Sequence, residues 1–268
     1  MKKKAFWGIL ILALALLLIY APILILAAYS FTDATSIGFH GSFSLQNYIT
    51  LFTTPELKDM IIGTLILALA VALISTVLGS LGAIGAFYSR NRSRFILGTV
   101  NQIPVVNADV VTGFSVCILL VVVFGMSKDS FIPLLAGQVA LCAPFVYLSV
   151  LPKLSQMDPS IYEAALDLGA SPATALWKVV IPVIRPGILS GFAMAVTLSL
   201  DDYFVATYTK PATFDTISTY VVNATRGAQT SVKTALWALS TLLFVVVLLL
   251  VLIGQRGGKK QERKEAEA

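Results

Sequence analysis

Charge is scarce in this sequence: Asp, Glu, Lys and Arg make up 12% of 268 residues against 57% for the apolar set, and mean hydropathy is +0.86. A chain so short of charge cannot cover the surface of an ordinary soluble domain, which leaves an integral membrane protein. Histidine is nearly absent. With His40 alone, no histidine-based metal cluster can form, and no serine–histidine relay has a second His in reserve; His40 reads as a solvated loop residue. Cys117 and Cys142 both fall in apolar runs, where cysteine acts as a small hydrophobe, so neither a disulfide nor a metal site is expected. A nucleotide-binding loop is missing too. The glycines of GSLGAIG, residues 79–85, sit in an apolar run and are not followed by Lys-Ser or Lys-Thr. ATP, if used, must be bound by another chain, and no cofactor is expected.

What the sequence has in abundance is long apolar runs, around 6–29, 60–87, 105–124, 131–151, 183–207 and 234–253. Each approaches the roughly 20 residues that cross a bilayer as a helix, so the pattern predicts six transmembrane helices and an all-α fold. The first follows Lys2, Lys3 and Lys4, and its apolar part is too long for a cleaved signal peptide; it reads as an uncleaved anchor. Basic residues set the orientation. With the N-terminus inside, the outer segments hold only Lys58, Lys128, Lys210, Arg226 and Lys233 of the 19 basic residues, which predicts that both termini are cytoplasmic. The +5 charge follows from that asymmetry and calls for no nucleic-acid partner. Residues 254–268, GQRGGKKQERKEAEA, read as a solvated cytoplasmic tail beyond a membrane domain spanning 1–253.

The chain is organised around a polar-flanked stretch, Asp158 to Pro182, on the cytoplasmic side. It predicts two short helices around a bend. Asp158 caps the first, Pro159 fits its first turn, and Gly169 supplies the left-handed residue that ends it. Ser171 and Pro172 restart the signal, and the second helix is expected to run until Pro182 removes a donor. Helices this short need an external surface to pack on, and Ala164 and Ala165 keep the contact face flat.

Small residues mark the close helix contacts. Ser75, Gly79 and Ala83, with Gly82 and Gly85 alongside, line the second span; Gly187, Gly191, Ala195 and Ser199 line the fifth. In the fourth span, Gln138 and Pro144 read as packing details. The third apolar region is interrupted by Asn101, Pro104, Asn107 and Asp109. Either one kinked helix from Phe95 puts Asp109 about 21 Å deep, or a separate cytoplasmic piece precedes a helix starting near Val105 and leaves Asp109 near the inner surface. The fifth-span stripe ends beside Asp201 and Asp202. Counted from Gly187, Asp201 lies about 21 Å along the helix, in the outer part of the membrane core, where carboxylates mark ion or substrate routes. Successive helical residues differ by about 100°, so Asp202 continues the stripe while Asp201 points elsewhere; one lines a cavity and the other caps or braces. Alternatively, the span ends early and the pair is an exposed helix terminus. Residues 30–58 form an outer loop, SFSLQNYITLF within it, whose aromatics lie at the interface or touch a partner.

Glu163-Ala164-Ala165, three residues, Gly169, nine residues, then Val179, Ile181 and Pro182 resembles the EAA loop of permease subunits from binding-protein-dependent ABC importers. The family pattern closes on Ile-x-Leu-Pro, and Val179-Val180-Ile181-Pro182 differs by exchange of branched apolar residues. The segment SLDDY, residues 199–203, narrows the resemblance to the PotC-like permeases of spermidine/putrescine importers. The resemblance implies a six-helix MetI-like fold and a pore-forming subunit that is not itself an enzyme. Its partners would be ABC ATPase subunits, a second permease subunit, an extracytoplasmic polyamine-binding protein, the lipid bilayer and the polyamine itself. The same resemblance assigns Glu163, Ala164, Ala165, Gly169 and Pro182 to coupling with the ATPase. It assigns Ser199, Asp201 and Asp202 to the substrate path by motif. Asp109 joins them although Ala108 stands where the family often has Pro, and Tyr48 joins as the second residue of an aromatic pair common in that loop. A sister importer for ferric iron, thiamine or a phosphonate would keep the EAA loop and change the role of the acids. A secondary transporter or channel would also use buried carboxylates but would leave the loop unexplained, and adjacent Asp residues without a placed nucleophile do not define a membrane hydrolase.

Overall fold

A computed structural model of the chain describes residues 2–34, 41–158, 160–226 and 234–249, with side chains from residue 11 onward. His40, Pro159 and the tail 254–268 lie outside the described residues. Two compact units are distinguished, one of residues 1–59 with 221–249 and one containing residues 60–220.

In the first unit, α1 (Lys2–Ser30) is apolar all round, and its side chains from Ile11 to Tyr20 are exposed. Such a helix is stable only in lipid or against another protein. The loop after α1 folds back on its end through a bridge between Thr32 and Phe43 and leads into α2 (Gln46–Thr53). Buried Asn47 donates to the carbonyls of Ser30 and Thr32, so the loop's polar backbone is satisfied locally.

The second unit is built on α3 (Pro55–Tyr88), which enters it at Met60. The chain continues through α4 (Asn91–Val106), α5 (Asp109–Cys117) with a π-helical extension Ile118–Val123, and α6 (Ile132–Gln156). The polar stretch contains α7 (Ser160–Asp167) and α8 (Pro172–Ala175), followed by a π turn Leu176–Val180. Then come α9 (Ile181–Asp201), α10 (Phe204–Thr209) and α11 (Ile217–Arg226), the last passing back into the first unit, where α12 covers Thr234–Leu249. Among the described residues four helices are long and apolar enough to span a membrane, α4 with α5 forms a bent fifth, and α12 is a shorter apolar helix at the sixth expected position.

The core of this unit is the seam between α6 and α9, with α3 against α6. Both predicted small-residue stripes lie there. A Cβ on Gly187 would stand 3.0 Å from the Ser149 carbonyl, and one on Gly191 would stand 3.2 Å from the Val146 Cα, so the α9 backbone approaches α6 more closely than most side chains allow without a shift. Gly79 of α3 is tighter, with Ala143 O and Val146 Cβ both 2.7 Å from a built Cβ, whereas Gly82 meets only the Tyr147 ring at 3.6 Å. Gly79→Ala is therefore expected to push α3 off α6 and cost about 1–3 kcal/mol, while Gly82→Ala is near neutral. Thermal midpoints of the two purified variants check this; equal midpoints would refute the close-approach account.

One sequence expectation is corrected, and two that the sequence left open are decided. Pro182 does not end the second short helix: α8, the π turn and α9 form one run from Pro172 to Asp201. A proline inside a helix loses one bond and crowds the carbonyl four residues back, and the wider π turn just before it absorbs both. The fifth span does not continue to residue 207 but ends at Asp201, as the early-ending alternative had it, because Asp202 adopts extended backbone (ψ 115°); the pair is not an exposed terminus as a whole, since Asp202 is buried. The third region is broken, as the second alternative had it, with α4 and the helix from Asp109 bent by 104° at Asn107–Ala108. That break does not lie at the level of the 158–182 loop, since α5, which starts at Asp109, packs through Gly113 against Val205, three residues past Asp202. Asp202 follows the 21 residues of α9, about 30 Å along that helix from Ile181.

Candidate functional site

Two groups of residues stand out in the second unit, one at each end of α9. At the near end, Asp158 Oδ1 accepts the Ser160 N–H at 2.9 Å, which starts α7 and holds the Asp158 carboxyl below the usual carboxylate range. The helix closes in a Schellman turn. Gly169 has φ +87°, its N–H donates to Leu166 O, and the Ala170 N–H reaches back to Ala165 O at 3.0 Å. Ser171 Oγ then accepts the Thr174 N–H and opens α8. The predicted two helices and the bend at Gly169 are thus present. Glu163, Ala164 and Gly169 are exposed, Ala165 is half-buried, and Pro182 is exposed on the continuing helix. The Tyr162 ring tilts against Tyr88 at 4.8 Å between centroids, which moors α7 to the end of α3. Leu168 and Trp177 remain 89% and 70% exposed, an apolar contact surface that this chain does not cover.

At the far end, Asp201 is the last residue of α9 and is exposed, while Asp202 is 7% exposed. The turn of about 100° per residue separates them as the sequence predicted. Asp202 Oδ1 accepts the Val205 N–H at 3.0 Å, and Oδ2 accepts the Ala206 N–H at 3.0 Å and Gln138 Nε2 at 3.1 Å. From one residue ahead of the N-cap position, Tyr203, its carboxylate caps α10. Ser199 Oγ donates to Gln138 Oε1 at 2.7 Å, closing a buried chain from α9 through α6 and back. Helix α10 seats against α5 where Gly113 faces Val205, a built Cβ on Gly113 lying 2.8 Å from the Val205 Cα. Asp109, exposed in the first turn of α5, completes the group.

The arrangement thus brings Asp109, Ser199, Asp201 and Asp202 to one end of the unit. Tyr48 belongs to the first unit, where its hydroxyl lies 2.9 Å from Ser30 Oγ and its ring tilts against Phe31 at 5.1 Å. Among the described residues the ion pair is Lys210 with Asp215, and none of Asp109, Asp201 or Asp202 has a Lys or Arg partner. Sequence reasoning passed over Gln138 as packing. The signal was there: a lone Gln in an apolar span must find a partner, because lipid offers none.

Residues 79–257 match the family model described as the binding-protein-dependent transport system inner membrane component. Over 238 residues the chain is 31% identical to the spermidine/putrescine transport system permease protein PotC of Haemophilus influenzae, covering 88% of this chain and 90% of that one. It is 30% identical over 250 residues to the putrescine transport system permease protein PotI of Escherichia coli K12, covering 90% and 86%. A crystal structure of a bacterial ABC transporter involved in import of the acidic polysaccharide alginate contains a chain of the same fold, with TM-score 0.74, 19% identity, and coverage of 95% of this chain and 96% of that one.

Proposed function

This chain belongs to the family of binding-protein-dependent transport system inner membrane components, and we propose that it is the membrane-spanning subunit of an ATP-driven importer carrying polyamines such as spermidine and putrescine inward. The observation that carries the cargo assignment is the exposed pair Asp109 and Asp201, with Asp202 buried next to Asp201; none of the three has a basic partner among the described residues. Fold alone does not choose the cargo, since the alginate importer shares it and moves an acidic polymer. The sign of the uncompensated charge does. Exposed carboxylates on a bundle in lipid must face water, and an acid-lined aqueous cavity attracts ammonium groups.

Residues 158–182 act as the coupling loop, through Glu163, Ala164, Ala165, Gly169 and Pro182, with exposed Leu168 and Trp177 adding apolar contact to a separate ATPase chain. Both termini lie in the cytoplasm, in accord with the distribution of Lys and Arg. ATP binding draws two ATPases together, the loops move, and the cavity turns outward to a binding protein that delivers cargo; hydrolysis resets it. A second permease completes the pore. The 30-residue helical run from Pro172 to Asp201, about 45 Å long, puts the coupling loop and Asp201 on one lever.

Uptake of labelled spermidine into vesicles holding this chain with its candidate permease, ATPase and binding protein tests the reading. ATP-dependent uptake that putrescine competes is the expected result. ATP-dependent activity without polyamine uptake would keep the importer and discard this cargo in favour of another solute, such as ferric iron, thiamine or a phosphonate. Transport by this chain alone without ATP would overturn both.

A further inference from the structure

We infer that Gln138 is a positioning residue for transport: it locks Asp202 as the brace of the break between α9 and α10, so that Asp201 and Asp109, and not Asp202, are the carboxylates left to meet the cargo. The inference rests on the polyamine reading for its cargo, but its geometry stands on contacts within the second unit.

Gln138 is fully buried, and both ends of its amide are used. Its orientation is fixed chemically. A carboxylate only accepts, so the NH2 must face Asp202, and the carbonyl is then left to receive the Ser199 hydroxyl. Asp202 in turn has three of its acceptor sites filled by Gln138 Nε2 and the N–H groups of Val205 and Ala206. A carboxylate with three protein donors and 7% exposure is engaged in holding backbone, whereas Asp201 one residue earlier is exposed to whatever fills the space around it.

The lock sets more than one side chain. Where α9 stops, the chain turns on the extended backbone of Asp202, and α10 begins only because that carboxylate replaces the missing partners of its first N–H groups. Helix α10 is then fitted on both sides by glycine: Gly113 of α5 opposite the Val205 Cα, and Gly137 of α6, where a built Cβ would lie 2.8 Å from Val205 Cγ1. Gly137 and Gln138 are neighbours on α6, so one turn of that helix both seats α10 and holds its cap. Because α5 starts at Asp109 and packs on α10, the same contacts fix where Asp109 stands relative to Asp201.

The test uses the assembled importer in vesicles with four variants: Gln138→Leu, Asp202→Asn, the double Gln138→Leu with Asp202→Asn, and the exchange Gln138→Glu with Asp202→Asn. Each single variant is expected to lower ATP-driven uptake of spermidine and putrescine by the same factor, roughly tenfold or more, with the double no worse than the worse single. In the exchange, the amide introduced at position 202 donates to the carboxylate introduced at position 138, which still accepts from Ser199, but its NH2 cannot accept the Ala206 N–H as Asp202 Oδ2 does, so uptake recovers only part of the way from the singles toward wild type. Losses that multiply in the double, an exchange as inactive as the singles, or a changed spermidine-to-putrescine ratio in Gln138→Leu would overturn the inference. The thermal midpoint of the purified complex reads the lock without reference to cargo: Gln138→Leu lowers it and the exchange recovers part of the loss. Wild-type complex that moves no polyamine would thus defeat the cargo reading, while the midpoint cycle would still decide whether Gln138 holds Asp202.

Discussion

Gly169→Val is expected to leave the importer assembled and able to hydrolyse ATP but to cut uptake by roughly thirtyfold, with hydrolysis no longer stimulated by the loaded binding protein. Space is not the reason, because nothing lies within 4 Å of a built Cβ at Gly169. Backbone conformation is. At φ +87° a β-branched residue is strained by about 2 kcal/mol, which is about a thirtyfold shift in population away from the native turn. Helix α7 has only 8 residues and little intrinsic stability to resist that shift. Once the Schellman bonds to Leu166 O and Ala165 O are lost, α8 and the run into α9 no longer start from a fixed point. A graded series makes the account specific. Asn tolerates the left-handed region better than Ala, and Ala better than Val, so stimulation of ATPase activity should rank Gly, Asn, Ala, Val. Full stimulation in an assembled Gly169→Val complex would show that the bend does not couple.

The near end of α9 could be read from sequence because its signals are local. Asp158, Gly169 and Ser171 each act within a few residues of themselves, and the turn they specify is the turn that forms. The small-residue stripes were also legible, since in lipid a close approach of backbones needs residues without bulk at a helical spacing. The far end was only partly legible. Leu200 to Phe204 keeps an apolar pattern around its two acids, and nothing local ends the helix at Asp201. The break is made by Gln138, 64 residues away in sequence, and by the backbone of α10. Pro182 misled for the opposite reason. The local rule stops a helix there, and a π turn placed just ahead of it removes the conflict. Asp109 needed the tertiary arrangement outright, since its place at the same end of the unit as Asp202 follows from α10 packing on α5.

The largest loss should come from removing the two exposed carboxylates together. Asp109→Asn with Asp201→Asn keeps shape and hydrogen-bonding capacity while discharging both groups, and neither side chain is part of the buried lock. Attraction between an ammonium group and a carboxylate in a water-filled cavity is modest, and each neutralised acid should lower spermidine uptake by about tenfold, so the pair should lower it by about a hundredfold. The dependence on cargo charge separates this from misfolding. Spermidine carries three ammonium groups and putrescine two, so a field weakened by two charges disfavours the trication more, and the spermidine-to-putrescine ratio should fall. Raising ionic strength should shrink wild-type uptake more than that of the double variant, because only the wild type has the attraction left to screen. An assembled double variant that transported both polyamines at the wild-type rate would remove Asp109 and Asp201 from the path. A loss equal for both cargoes and indifferent to salt would instead mean that the two acids shape the bundle and that the cation is recognised elsewhere.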